Sequence, residues 1–400
     1  MRRARSLPAL RCPRCGHATD GEDRAAYKGC PACAANGHAV AYVCDFVPER
    51  IAAGSGPGIW RWSAALPVNP DHAVSLGEGD TPLVPLPRVA RDVGVAELFV
   101  KNEAANPTGS HKDRLAAVAV AAARQVGAEV VCGASTGNHG AALAAYCAHG
   151  GLRCVIFTTA AISDAMRASI QVTGAELIAA ADPDARYELL ARAAEDDGWV
   201  VATNAVTPPV GSPPIAVEGY KTIAYEIWEQ LDGRAPDWVV IPVSYGDCLA
   251  GVQRGFAELA AAGLVERPPR LAAVERFGAL GGAIASGGDT TGPVPFPATA
   301  AYSIAVRYAT DQAVRAITAS GGVAASVDEE ELLREQVRFG RASGLYAEVS
   351  SSITIAAARR LARAQTIARD ATVVCLLTAT GLKDPATTLP LLPPIAQAPR

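Results

Sequence analysis

The sequence predicts an α/β protein built on parallel sheets, and three observations carry that expectation. Beyond residue 96, short apolar runs rich in Val, Ile and Leu alternate with longer amphipathic or Ala-rich stretches, the pattern of βαβ units. Runs such as "DWVVIPVS" (237–244) are apolar at most positions, as strands covered on both faces are. At three places a strand-like run or turn passes through a Gly- or Ser-bearing loop straight into a helical stretch.

The elements follow in order. "ELFVKNE" (97–103) reads as a strand, and "RLAAVAVAAARQVG" (114–127) as an Ala-rich helix ended by Gly127. "AEVVCGA" (128–134) is a strand, and "GAALAAYCAHGG" (140–151) a helix closed by a Gly pair. Next come the strand "RCVIFTT" (153–159), the helix "DAMRASIQVTG" (164–174) and the strand "AELIAA" (175–180). The helix "DARYELLARAAEDDG" (184–198) leads to the strand "WVVAT" (199–203). After "EGYKTIAYEIWEQLDG" (218–233), a helix, the strand 237–244 and the helix "LAGVQRGFAELAAAG" (249–263) form another unit, followed by the strand "RLAAVE" (270–275). Helices are expected over 311–322, 329–344 and 351–365, and a last strand at "ATVVCLLT" (371–378). The Gly/Thr/Pro-rich piece 285–302 reads as a long loop, and the tail from "LPLLPPIAQAPR" as extended or frayed. There is no internal repeat of the solenoid kind.

At 400 residues the chain is long enough for two domains. It is half hydrophobic, with a formal charge of −4, which fits a soluble globular enzyme. Without a basic excess, nucleic acid is not an expected partner. No apolar run approaches the roughly 20 residues that span a bilayer, so a membrane is not expected either. The start lacks the apolar region of a secretory signal, and a cytoplasmic setting is expected.

Cys12 and Cys15 form one CxxC turn, Cys30 and Cys33 a second, with 14 residues between the turns. Each turn brings two thiolates to one side, and two turns complete a tetrahedron, which suits one structural Zn²⁺ on four cysteines. A disulfide pair or free thiols is the other reading. Cys44, Cys132, Cys147, Cys154, Cys248 and Cys375 sit among apolar residues and read as buried hydrophobes. The stretch "AAGSGPGIW" (52–60) reads as a linker after this ribbon.

In "NPTGSHKDR" (106–114) a tight turn delivers Lys112 to the mouth of an apolar helix. An amine in an apolar pocket at a helix N-terminus loses its proton more easily and can attack an aldehyde. A solvent-facing lysine is the bland alternative. In "GASTGNHGAALAAY" (133–146), Ser135, Thr136, Gly137 and Asn138 offer N–H groups and hydroxyls at the positive end of a helix, a cradle for a carboxylate. Ser244, Tyr245, Gly246, Asp247 and Cys248 form a second such junction, where a phosphate could sit on backbone amides. No strand is followed by GxGxxG, which disfavours a dinucleotide-binding dehydrogenase.

Together these segments resemble the threonine synthase family of pyridoxal-phosphate enzymes, in the fold type II, tryptophan synthase β-like superfamily. The resembling motifs are "GEGDTPLVPL", "NPTGSHKDR", "ASTGNHGAALAAYCAHGG", "VEGYKTIAYEI", "SGLYAEVSSSITIAA" and "VVCLLTATGLKDP", in the family's order over nearly the whole chain. The resemblance implies an α/β fold of two parallel-sheet βαβ domains with an N-terminal Cys₄ zinc ribbon. Residues 1–45 would form the ribbon, 46–119 with 211–400 a larger domain that binds pyridoxal 5'-phosphate, and 120–210 a smaller substrate-side domain. Lys112 would carry the cofactor and move protons. Asn138 would bond its phenolic oxygen, Ser244 to Cys248 would take its phosphate, and Thr378 would face its ring nitrogen. Ser135, Thr136, Gly137 and Asn138 would hold the carboxylate of a small amino-acid substrate. The family further implies a cytoplasmic homodimer that converts O-phospho-L-homoserine and water to L-threonine and phosphate.

Four departures stand out. His111 replaces a Phe and would either stack like it or add a titrating group. Asp247 puts an acid beside the phosphate loop, so its side chain must turn away. Ala379 replaces a Gly beside Thr378, which a negative φ tolerates. Ala216 stands where the family has an arginine that grips the substrate phosphate, within the Pro-rich segment "NAVTPPVGSPPIAVEGYKT". Arg153, Arg167 and Arg307 are the substitutes considered for it. The missing arginine keeps open a β-elimination or β-replacement enzyme of serine/threonine dehydratase type, or an unusual amino-acid synthase. A silent homologue that binds a partner through the ribbon is opposed by the intact Lys112, Asn138 and Thr378.

Overall fold

Val239, Val240, Ile241, Val373 and Val374 have no accessible surface, which is the packing that β-branched runs reach when helices cover both faces of a parallel sheet. The computed structural model describes residues 6–182, 184–288, 290 and 292–396. The last four residues of the tail and two positions of the 285–302 loop lie outside the described residues.

Strands β1 (Leu10–Arg11), β2 (Ala18–Thr19) and β3 (Val43–Cys44) pair antiparallel in the order β2-β1-β3 and carry the cysteine turns. Strand β4 (Leu83–Pro85) pairs antiparallel with β5 (Glu97–Asn102). Strands β6 (Val130–Ala134), β7 (Arg153–Thr159), β8 (Glu176–Ala180) and β9 (Val200–Val201) form a parallel sheet in the order β8-β7-β6-β9. Strands β10 (Trp238–Pro242), β11 (Arg270–Glu275), β12 (Val323–Ser326) and β13 (Thr372–Leu377) join β5 and β4 in the order β12-β11-β10-β13-β5-β4. All neighbours in this larger sheet are parallel except β4 with β5, and Pro85 on β4 sits at the edge, where a missing N–H costs no ladder bond. Short β4 and β12 have no run long enough to announce them in the sequence.

The expected linker at 52–60 is corrected at its end: residues 52–57 are irregular and largely exposed, but 58–60 are not slack chain. Residues 58–65 form a 3₁₀ segment in which Ile59, Trp60 and Trp62 are buried, and Trp60 Nε1 donates to the Val74 carbonyl at 2.9 Å. Gly58 lies at φ +54°, where a Cβ would come within 2.3 Å of the Glu78 carbonyl oxygen. This glycine serves close packing rather than slack. The six scattered cysteines are all buried, as expected.

Helix Lys112–Gln125 is buried on nearly every side from Asp113 to Ala121, and alanine permits this because it adds so little bulk. Arg114, with no accessible surface, reaches both Glu103 and Glu226. Its Nε and Nη2 donate to Glu103 at 2.7 and 2.8 Å. Nη1 and Nη2 donate to Glu226 at 2.7 Å each, and Nη1 also donates to Thr222 Oγ1 at 2.9 Å. Lys101 Nζ donates to Glu226 at 2.7 Å, to the Thr81 carbonyl at 2.7 Å and to Gln230 at 2.9 Å. Burial alone would push the Glu226 carboxyl up, but Arg114 and Lys101 hold it well below the usual carboxylate range. Two cations and two carboxylates cancel, and they tie the start of this helix to β5 and to helix Lys221–Gln230.

Removing one member of such a cluster leaves an uncompensated buried charge. Arg114→Met is expected to lower stability by roughly 3–5 kcal/mol, read as a shifted midpoint in chemical denaturation. A loss under 1 kcal/mol, in the range of a surface pair, would show that the cluster does not anchor the helix.

Candidate active site

Three chain segments converge on Lys112. Gly109, at φ +74°, lets the turn pass within contact of Thr380 and Lys383, where a Cβ would sit 2.9 Å from Thr380 Cγ2. Ser110 bridges to Ala379, the Thr380 N–H donates to Gly109 O at 3.1 Å, and the His111 N–H donates to Thr378 O at 2.8 Å. The lysine turn is thus stitched to the end of β13, beside Thr378. Ala379 is not among the positive-φ residues described, so the methyl that replaces the family's glycine hydrogen is tolerated.

The second segment follows β6. Ser135 Oγ accepts from the N–H groups of Gly137 at 3.2 Å and Gly140 at 2.9 Å, which ties the loop to the first turn of helix Asn138–Gly150. The third follows β10. Gly246 takes φ +84°, and a Cβ there would lie 2.7 Å from the Ala313 Cβ, so the turn into helix Asp247–Ala261 needs glycine. These loops enclose a cavity of about 240 Å³. Every predicted cofactor and substrate residue lines it: Lys112, Ser135, Thr136, Gly137, Asn138, Ser244, Tyr245, Gly246, Asp247, Cys248 and Thr378.

Lys112 differs from every other lysine. Lys28 pairs with Glu195, Lys101 with Glu226, Lys221 with Glu218 and Glu258, and Lys383 with Asn138. Among the described residues the Lys112 Nζ has no hydrogen-bond or salt-bridge partner, and lies 5.7 Å from the Tyr220 ring centroid. Burial lowers its pKa, an effect partly opposed by Asp247 and Cys248. That is the state a nucleophilic amine needs.

The neighbours are held in fixed orientations. Asn138 Oδ1 accepts from Lys383 Nζ at 2.7 Å and its Nδ2 donates to Glu348 at 2.8 Å. The amide cannot flip without losing both bonds, and one Nδ2 hydrogen is left over. Glu348 also accepts from Ser303 Oγ, and burial pushes its carboxyl up. Thr378 Oγ1 shares a hydrogen bond with Ser351 Oγ at 2.8 Å. His111 stacks on Tyr220 with centroids 5.3 Å apart and planes 25° apart, and burial with the Lys112 charge drives its pKa well below the usual value. Of the two expectations for His111, the stacked neutral ring is the one found. Its Nδ1 lies 3.1 Å from Thr378 O, and since a carbonyl only accepts, Nδ1 carries the proton.

Asp247 turns away, as anticipated. Its carboxylate accepts from Ser212 N at 3.0 Å, Ser212 Oγ at 2.7 Å and Gln312 Nε2 at 2.7 Å. Ser212 comes from the Pro-rich segment that lacks the arginine, so these two departures are structurally coupled. Asn204 clamps the same segment, with its Oδ1 accepting from Val210 N at 3.1 Å and Gly211 N at 3.2 Å.

The substitutes proposed for the missing arginine are corrected. Arg153 is exposed and paired with Glu176, Arg167 is exposed and paired with Asp164, and Arg307 is exposed over the Tyr308 ring. Burial in this cavity was not encoded in any local motif near them. The arginine that does line the cavity is Arg186, at the start of helix Ala185–Asp196. Sequence reading missed it because an arginine in an amphipathic helix looks like any solvated one.

A phosphorylated pyridine aldehyde fits this donor set: an unpaired amine, a fixed amide donor, a neutral hydroxyl pair and a glycine turn at a helix start. His139 Nε2, on a residue lining the cavity, is buried without a hydrogen-bond partner among the described residues, so the cavity has a polar atom to spare for a bound group.

Away from this cavity, Cys12, Cys15, Cys30 and Cys33 bring four Sγ atoms within 4.8 Å of one another. The cross-turn Sγ pairs Cys12–Cys33 and Cys15–Cys30 are 3.6 and 3.5 Å apart. Such a cluster could hold one metal ion. His17 and His38 are engaged elsewhere, with Tyr42 OH at 2.9 Å and Arg14 at 3.0 Å.

Residues 74–379 match the model of the pyridoxal-phosphate dependent enzyme family. The chain is 34% identical over 335 residues to the threonine synthase of Methanocaldococcus jannaschii, covering 82% of this chain and 81% of that protein. It is 34% identical over 339 residues to the threonine synthase of Mycobacterium leprae, covering 84% and 90%. Among solved structures, the processed form of threonine deaminase isoform 2 from Solanum lycopersicum superposes with a TM-score of 0.66 at 18% identity, covering 87% of this chain and 94% of that one. The diaminopropionate ammonia lyase of Escherichia coli gives 0.67 at 19% identity, covering 79% and 89%. At those identities the likeness speaks for the fold alone. Among the described residues no helix is long and apolar enough to cross a membrane.

Proposed function

This chain belongs to the threonine synthase family of pyridoxal-phosphate-dependent lyases, and from that premise we propose that it converts O-phospho-L-homoserine and water to L-threonine and phosphate. The observation that carries the reading is the half-buried Lys112 amine, without a hydrogen-bond or salt-bridge partner among the described residues, on a cavity lined by all the predicted anion-holding loops. Bound pyridoxal phosphate supplies an electron sink that lets protons leave the α- and β-carbons of an amino acid.

The protein's residues then have these roles. Lys112 would hold the cofactor through Nζ and would take protons from Cα and Cβ of the substrate in turn, its lowered pKa keeping the amine able to accept them. The Ser244–Cys248 turn takes the cofactor phosphate on backbone N–H groups, while Ser212 and Gln312 hold the Asp247 charge aside. Asn138 offers its remaining Nδ2 hydrogen to the cofactor's phenolic oxygen, its flip fixed by Lys383 and Glu348. Thr378 would offer the ring nitrogen a neutral hydroxyl, which unlike a carboxylate would not enforce ring protonation and so would favour elimination and replacement over transamination. Ser135, Thr136 and Gly137 seat the substrate carboxylate at the start of helix Asn138–Gly150. As the Cγ–O bond breaks, phosphate leaves. Water adds at Cβ, and protons return to Cγ and Cα. The substrate seat rides on the four-stranded sheet and the cofactor-phosphate seat on the six-stranded one, in keeping with a smaller unit at 120–210 set against a larger one at 46–119 and 211–400.

The cofactor-loaded protein is expected to release phosphate and threonine in equal amounts from O-phospho-L-homoserine, and Lys112→Ala to abolish both. Absence of release from a yellow, loaded protein would reject the reading and leave β-elimination or β-replacement, to be tested with serine, threonine and their activated esters.

The ribbon metal is proposed to be Zn²⁺. Zinc–sulfur bonds of about 2.3 Å in a tetrahedron put sulfurs roughly 3.8 Å apart, close to the observed cross-turn spacings of 3.5 and 3.6 Å. Elemental analysis should find one zinc per chain, lost in Cys30→Ser with a lower melting temperature; a metal-free, equally stable protein would contradict this. A homodimer in the cytoplasm is proposed on the family resemblance, and light scattering in solution decides the dimer.

A further inference from the structure

A phosphomonoester drawn into a closed cavity needs a cation, and a guanidinium serves best because its forked donors match two phosphate oxygens. Ala216, which takes the place of the family's arginine, is buried and lines a different, mostly apolar hollow against the N-terminal ribbon. It could not reach the Lys112 cavity by simple substitution of a side chain on the cavity wall. Something else must neutralise the leaving group, or the substrate is not a phosphate ester.

The ionisable groups lining the cavity settle which residue that is. Lys112 is committed to the cofactor. His111 and His139 are both driven toward the neutral form by burial and the Lys112 charge. Asp247 is engaged by Ser212 and Gln312, and Glu348 by Asn138 and Ser303. Arg186 is the arginine on the cavity wall among the described residues. Its neighbour Tyr187 shares a hydrogen bond, 3.0 Å between hydroxyl oxygens, with Tyr245 of the Ser244–Cys248 turn. That contact sets the first turn of helix Ala185–Asp196, on the four-stranded sheet, against the mouth of the turn on the six-stranded sheet. The Arg186 guanidinium carbon lies 5.7 Å from the Tyr187 ring centroid.

We propose that Arg186, with the phenols of Tyr187 and Tyr245 beside it, binds the phosphate of the substrate and stabilises its departure, taking over the role of the family's missing arginine. The inference rests on the proposed function and adds a specificity-determining residue to it. Arg186 supplies charge and paired N–H donors to the leaving oxygens, and the tyrosines supply neutral donors and position the helix that carries it.

The test compares Arg186→Gln and Arg186→Lys with the parent protein, all loaded with cofactor. Arg186→Gln is expected to raise KM for O-phospho-L-homoserine and the inhibition constant of inorganic phosphate on the order of 10- to 100-fold, since a charge-assisted hydrogen bond is lost. Arg186→Lys keeps the charge without the fork and should fall between. The shift of the cofactor absorption by L-homoserine, which lacks the phosphate, should occur at an unchanged concentration in both variants; a general distortion of the site would move it too. If the parent turns over O-phospho-L-homoserine and Arg186→Gln does so with the same KM and the same phosphate inhibition, the proposal is overturned and the function stands. If the parent does not turn it over, the function fails, and phosphate binding to the loaded protein, followed by its absorption change, judges Arg186 alone: binding lost in Arg186→Gln supports the anion seat, and no binding to the parent overturns it.

Discussion

Arg114 is the fixed point of the molecule. Its guanidinium lies wholly out of water between Glu103 and Glu226, with Lys101 on the far side of Glu226. None of the four charges can be buried alone, because an unpaired ion in a low-dielectric interior costs several kcal/mol. The arrangement therefore exists whole or not at all, and it fixes position rather than adding net stability. Glu226 also accepts from the Asp80 N–H at 2.9 Å, which brings the "GEGDTP" segment into the same cluster. Lys112 lies two residues before Arg114 on the same helix, so the amine inherits its place from a cluster that never touches the cavity.

The cavity is built around that amine by compensations between residues distant in sequence. The segment before Glu218, with Ala216 at the arginine's place, is Pro-rich, and it supplies Ser212 to the carboxylate of Asp247. Gly211 sits at φ +111° where a Cβ would lie 2.5 Å from Asp247 Oδ1, so the loop lies directly against the acid. An acid beside a phosphate-binding turn is admissible here because its charge is already bonded from two directions. Likewise the exchange of Phe for His at 111 leaves a neutral, stacked ring.

Much of this was legible in the sequence. Lys112, the Ser135–Asn138 loop, the Ser244–Cys248 turn and the paired CxxC turns each sit at a chemically marked junction, and the structure gathers the first three into one cavity. The parallel sheets were legible because buried strands need unbroken apolar runs. Illegible were features set by tertiary contact: the Tyr187–Tyr245 bond across 58 residues and the Lys383–Asn138 bond across 245. Arg186 gave no local signal. The end of the linker read at residues 52–60 misled because glycine marks both slack chain and tight packing, and only burial of Ile59 and Trp60 separates the two.

The central claim is that the lack of a bonding partner, at the wall of the cavity, singles out one amine among the described residues for the cofactor. Borohydride reduction of the cofactor-loaded protein, followed by peptide mapping, tests it directly. The account predicts a phosphopyridoxyl group on Lys112 and none on Lys101, Lys221 or Lys383, each of which is held by other groups. A label on one of those lysines, or no label on a protein that has bound the cofactor, would contradict it.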